Sequence, residues 1–211
     1  VRKVLAGLLL VTASVSIALL FWSQELKYVM PTPVPEHFVS HAPNSKVDLT
    51  LLEGYRAGKP VYIHFFNPDC PCSRFNLKHF HSLASRFGDH VQVFAVIPAY
   101  ADLARAQDMI GTDNPSVAIV QDHADSLASA CGVYATPQAA VIDAARQLYY
   151  RGNYNKSRYC TTKDSNYAEI ALAALVAGEA APQFGPGATQ PYGCQLPDAE
   201  EKPNLFVSLF Q

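Results

Sequence analysis

The chain has 211 residues, 49% of them hydrophobic and 16% charged, enough apolar material for one sizeable core and too little length for two full domains. Its formal charge is −2, and no cluster of Lys or Arg follows Arg2 and Lys3, which excludes the electrostatic footprint of a nucleic-acid binder. Five cysteines are then its most chemically distinctive residues.

Arg2 and Lys3 precede Val4 to Phe21, eighteen residues without a charge, and Trp22 follows at interface depth. The length of this run and its bulky end, Ala18-Leu19-Leu20-Phe21-Trp22, favour a retained signal anchor over residues 1–24. A cleaved signal peptide has a shorter apolar stretch ending in small residues. A core helix would show a polar face at helical spacing, and none recurs. With the basic residues held in the cytoplasm, residues 4–21 would cross the cytoplasmic membrane once. The C-terminal part would then lie in the periplasm of a bacterium, an oxidising compartment that suits cysteine bridges. Residues 25–46 read as a stalk, stiffened by Pro31, Pro33 and Pro35.

The globular pattern begins near residue 47. Val61 to Phe66 is a predicted buried strand, with Phe65 and Phe66 on opposite sheet faces. A turn at Asn67-Pro68-Asp69 leads into a helix over Cys72 to Phe87. A strand at Val91–Ile97, a helix at Ala101–Ile110, a strand at Ser116–Gln121 and a helix at Asp122–Cys131 stopped by Gly132 follow. Strands Gln138–Asp143 and Gln147–Arg151 are joined by three residues, as in a hairpin, and an alanine-rich helix, Tyr167–Val176, is closed by Gly178. This order predicts an α/β domain over residues 47–180, a mixed central sheet with helices on both faces. Beyond it, residues 181–211 turn rich in Gly, Pro and Gln and read as an extended tail laid over the domain, with Cys194 as a holding point.

The chemistry concentrates at Cys70-Pro71-Cys72-Ser73, where a strand turns into a helix. A cysteine at a helix N-terminus is favoured as thiolate by the helix dipole. The strand, this motif, and the later Val133-Tyr134-Ala135-Thr136-Pro137 before a hairpin together resemble the thioredoxin-like superfamily, closest to its membrane-tethered redoxin and thiol-disulfide oxidoreductase branches. The resemblance implies Cys70 as nucleophile and a cis bond at Thr136–Pro137 that presents a backbone edge to substrate. It implies protein thiols and disulfides, together with a redox partner, as the partners. No cofactor and no metal are implied, since electrons travel through the sulfurs. The motif departs from the superfamily's usual spacing. Ser73 stands where the second cysteine belongs, and Cys72 comes one residue early.

Three resolving routes stay open: Cys72, the leading candidate and paired with Cys70 as a catalytic residue; Cys131, Cys160 or Cys194; or an external thiol. Cys160 and Cys194 are a candidate structural bridge tying down the tail, and Cys131 is an inert buried thiol left over. A peroxidase is disfavoured, because Ile63 and Asn67 stand where peroxiredoxins carry a proline and a Thr or Ser. The alternatives from other classes are copper handling through Cys70 and Cys72, and a redox-inactive scaffold that binds a partner.

Overall fold

Val61–Phe65 (β1) is the axis of the fold. All five of its residues are buried, as expected for a central strand covered on both faces. In the computed structural model, which describes residues 1–24, 30–111, 117–157 and 159–196, β1 pairs in parallel with β2 (Gln92–Pro98) and antiparallel with β5 (Gln138–Ile142). β3 (Val117–Asp122) extends the parallel side, and β6 (Leu148–Gly152) forms a hairpin with β5. The five-stranded sheet therefore runs β3-β2-β1-β5-β6. This is a thioredoxin-like mixed sheet with helices on both faces, as the sequence implies.

The two faces are read directly from alternation along the strands. Tyr62, Phe66, Val93 and Ala95 pack with α2 (Pro71–Phe87) through Phe80, Leu83 and Phe87, and with α5 (Tyr167–Val176) through Ala168, Ala171 and Leu172. Val61, Ile63, Phe65, Phe94 and Val96 face the other way, onto α4 (Ser126–Cys131) and the incoming residues Val47, Leu49 and Leu52. Phe65 and Phe66 thus divide between the faces as expected. The incoming chain also closes the β6 edge: Asn44 N–H donates to the Leu148 carbonyl and Val47 N–H to that of Arg146.

Two helices start later than the sequence suggests, and side-chain caps explain both. Asp102 accepts from Arg105 N–H, so α3 spans Leu103–Ile110 rather than starting at Ala101. Asp122 reaches over a short 3-10 turn to accept from Leu127 and Ala128 N–H at 2.9 and 2.8 Å, so α4 begins at Ser126. Gly132 ends α4 in the left-handed conformation at φ 68°, as expected. The first residue of the expected third strand, Ser116, and the apolar run Leu205–Phe210 lie outside the described residues.

At the N-terminus, α1 (Arg2–Gln24) is long and apolar enough to cross a membrane: Arg2–Ser23 has mean hydropathy 2.5, and none of its apolar stretch is buried in the rest of the protein.

Under the α2 face lies a buried polar knot. His64 stacks between Phe66 and Phe80, and its Nδ1 is 2.7 Å from the Tyr154 hydroxyl, which is itself 2.6 Å from that of Tyr62. Burial pushes His64 down to about 3, so it is neutral in the folded protein. In the unfolded chain it takes up a proton near pH 6.5, so stability is complete above that value and is lost as pH falls towards 3, at up to ~1.4 kcal/mol per pH unit. Half-buried His79 is shifted in the same direction by burial. Urea unfolding at pH 6.5 and pH 5 should show the native chain losing about 2 kcal/mol more than His64→Gln between the two. Equal losses would refute the assignment.

Candidate active site at Cys70

After β1, Phe66 N–H still bonds the Val96 carbonyl, and the chain then leaves the sheet. Asn67 shapes the turn: its Oδ1 accepts from Asp69 N–H at 2.9 Å, and its carbonyl accepts from Cys70 N–H at 3.0 Å. Cys70 is the N-cap of α2, extended at φ −80°, ψ 121°, with Pro71 opening the helix where a missing N–H costs nothing. No side chain caps the helix and its first turn holds no acid, so the positive end of the dipole is left to the Cys70 sulfur. The nearby Asp69 side chain pairs with Arg105 of α3. Ser73 is fully buried and its Oγ accepts from Asn67 N–H at 3.2 Å, so the position of the usual second cysteine is used to hold the turn.

The β1–β5 register sets Phe65 opposite Gln138 and thereby brings Thr136 and Pro137 up to the cysteine turn. Their peptide bond is cis, as the resemblance implies, and the Thr136 carbonyl oxygen lies 3.6 Å from Cys70 Sγ. Cys70 and Thr136 are nonetheless only 2% and 1% exposed. The edge expected to be open is covered by the protein's own tail. Cys194–Gln195 (β7) pairs antiparallel with Ala135–Thr136 (β4), Cys194 opposite Thr136 and Gln195 opposite Ala135, and Leu196 N–H continues the ladder to the Tyr134 carbonyl. Cys194 is there disulfide-bonded to Cys70, with Cα atoms 6.0 Å apart and 124 residues between them in sequence.

This geometry corrects one expectation. The Cys160–Cys194 bridge does not form: Cys194 does hold down the tail, but its partner is Cys70, and Cys160 is a free thiol on the other side of α2, where its Sγ accepts from Asn76 Nδ2 at 3.3 Å. Cys72 is not joined to Cys70. Cys70 stands outside the helix as its extended N-cap, and Cys72, in the first turn, is fully buried. Burial pushes Cys131 and Cys160 up to about 12, so neither supplies thiolate near neutral pH. The inert reading of Cys131 agrees with its full burial beneath the sheet. Among the described residues no three His, Cys, Asp or Glu side chains gather at ligand spacing.

The tail is seated independently of the disulfide. Asn153 Nδ2 donates to the Gly187 and Gln190 carbonyls, its N–H to that of Ala188, and the Tyr192 hydroxyl donates to the Asn155 carbonyl at 2.9 Å. On the outer side, Thr32 N–H bonds the Pro191 carbonyl, and Pro31 forms a bridge with Tyr192. The β4–β7 pairing went unread because two-residue strands carry no periodicity. A Gly immediately before a Cys, Gly193-Cys194, was the available signal.

No curated protein matches the chain. Among solved structures, it is similar to a hypothetical protein, SMc02350, from Sinorhizobium meliloti (TM-score 0.55, 21% identity, 65% of this chain and 79% of that one). It is also similar to an uncharacterized conserved protein from Geobacillus kaustophilus (0.52, 19%, 82% and 100%). A third likeness is to a secreted Mycobacterium tuberculosis disulfide oxidoreductase (0.46, 18%, 56% and 84%). A family profile matches residues 41–195, from the segment that covers the β6 edge through to the tail strand carrying Cys194, and the chain belongs to that family, described as "Domain of unknown function (DUF6436)".

Proposed function

We propose that this protein is a thiol-disulfide oxidoreductase whose redox couple is Cys70 and Cys194, held on the outer side of the cytoplasmic membrane by α1. The observation that carries the reading is the disulfide itself. It joins a helix N-terminal cysteine, beside a cis-proline edge, to a cysteine on a strand that pairs with that edge. In the reduced protein, Cys70 thiolate attacks a partner disulfide, forms a mixed disulfide and releases one partner thiolate. Cys194 thiolate then attacks the Cys70 sulfur, releases the second partner thiolate and restores the Cys70–Cys194 bond. Exchange needs no organic cofactor, since the electron pair moves between sulfurs. Cys194 takes the resolving role in preference to Cys72, because the seated tail holds it beside Cys70 at high effective concentration. The copper alternative draws no support from a site in which Cys70 is already bonded to sulfur.

With insulin as the disulfide substrate and dithiothreitol as the electron source, Cys70→Ser and Cys194→Ser should each lose at least tenfold in turnover. Cys72→Ser, Cys131→Ser and Cys160→Ser should stay within about threefold of the native rate. Without dithiothreitol, Cys194→Ser should accumulate a mixed disulfide at Cys70. Native turnover in Cys70→Ser would end this reading.

The close approach of the tail to β4 depends on Gly193. A Cβ there would stand 2.2 Å from the Thr136 carbonyl oxygen, at a φ of 119° that side chains rarely adopt. Gly193→Ala should therefore push Cys194 off the edge. Titrated against glutathione redox buffers, its disulfide should be at least tenfold less stable than the native one, equivalent to ~1.4 kcal/mol. An unchanged equilibrium would show that β4–β7 pairing does not support the bond.

A further inference from the structure

The two cysteines of the disulfide differ in exposure and in environment. Cys70 is 2% exposed, while Cys194 is partly exposed, between partly exposed Gly193 and exposed Gln195. The approach that a peptide would use to reach Cys70, by pairing with the Ala135–Thr136 edge, is taken by Cys194, Gln195 and Leu196. Leu196 is buried in the apolar cluster with Phe65, Val96 and Ala128, so the tail strand is pinned on both sides of the bond, by Tyr192 before it and Leu196 after it.

The leaving groups differ too. Attack on Cys70 would expel a Cys194 thiolate from a strand, with no helix end behind it. Attack on Cys194 would expel a Cys70 thiolate at the uncapped, acid-free N-terminus of the 17-residue helix α2. In thiol-disulfide exchange the better-stabilised thiolate leaves faster.

We infer that Cys194 is the sulfur through which the oxidised protein is reduced: an incoming thiolate attacks Cys194 Sγ, and Cys70 leaves. This rests on the exchange-active reading of the same disulfide and goes beyond it by dividing the couple into two jobs. Cys70 works outward only after reduction, once the tail strand can leave the edge. Cys194 is the port for the reductant. In the first step the S–S bond between Cys70 and Cys194 breaks, a bond between the donor sulfur and Cys194 forms, and the electron pair stays on Cys70. A second donor thiolate attacks the donor sulfur of that mixed disulfide, giving the oxidised donor and Cys194 thiolate. Two donor thiols are oxidised to one disulfide, and one protein disulfide is reduced to two thiols. The donor requires no extended strand of its own, since it meets Cys194 at the surface without displacing β7. A thiol on a folded protein surface or a small thiol has this chemistry.

The test uses the full oxidised chain in detergent, reduced glutathione as probe, and N-ethylmaleimide to trap the released thiol within the first turnover, followed by peptide mass spectrometry. The expected result is glutathione on Cys194 and maleimide on Cys70, in at least tenfold excess over the reverse pattern. A folded protein with one exposed cysteine, offered in place of glutathione, separates the two donor sources, and its adduct is expected on Cys194 as well. Glutathione, or the protein thiol, on Cys70 with maleimide on Cys194 overturns the inference and leaves the oxidoreductase reading standing. If the native chain forms no adduct at either site while the urea-unfolded chain does, the bridge is structural and both readings fall. Leu196→Ala is the second variant. It loosens the tail beyond the bond without touching either sulfur, and should raise the share of Cys70 adducts several-fold.

Discussion

The antiparallel register of β1 with β5 is the constraint from which the rest of the site follows. Pairing Phe65 with Gln138 fixes where β1 releases the chain into the Asn67–Cys70 turn, and on the neighbouring strand it fixes where Pro137 must stand. A slip of β5 by one residue would turn its side chains to the opposite faces and move Thr136 away from the sulfur. The register is held because each face of β1 is committed, Tyr62 and Phe66 to the α2 side and Ile63 and Phe65 to the α4 side.

On that frame the tail behaves as a sixth participant in the sheet's chemistry without joining the sheet. It reaches the site over Gly152, where a Cβ would stand 2.1 Å from the Ala188 carbonyl oxygen, and then past Asn153, whose side chain donates to the carbonyl of Gly187 in α6 (Pro186–Thr189) and to that of Gln190 just beyond it. These contacts seat the tail beside Cys70 through hydrogen bonds that do not involve the disulfide. The polar knot of His64, Tyr154 and Tyr62 lies on the α2 side of the same strand. There the two hydroxyls and His64 Nδ1 are joined by hydrogen bonds, while His64 Nε2 is buried without a hydrogen-bond partner.

Much of this was legible in the sequence because it rests on local rules. Largely apolar runs mark β1, β2 and β5, Gly132 and Gly178 mark helix ends, and the turn after β1 marks Cys70 as the residue that opens α2. The cysteine pairing was not legible. Cys160 and Cys194 are closer in sequence than Cys70 and Cys194, but sequence distance does not constrain a bridge once a sheet intervenes. The helical starts at Leu103 and Ser126 were missed for a related reason: Asp102 and Asp122 act through caps, which move a boundary by a few residues without altering the apolar pattern.

The pairing of Pro31 and Thr32 with Pro191, Tyr192 and Gly193 ties the residues just after α1 to the strand that carries Cys194. Gln24 ends α1, and Met30 lies six residues further on, a path that can extend to about 20 Å at most. With α1 in a bilayer, the Cys70–Cys194 pair would be held near the membrane surface and could not sweep through the surrounding volume on a long leash. Encounters would then be set by lateral diffusion, favouring donors that are themselves in or on the membrane, with their cysteines held at a matching height.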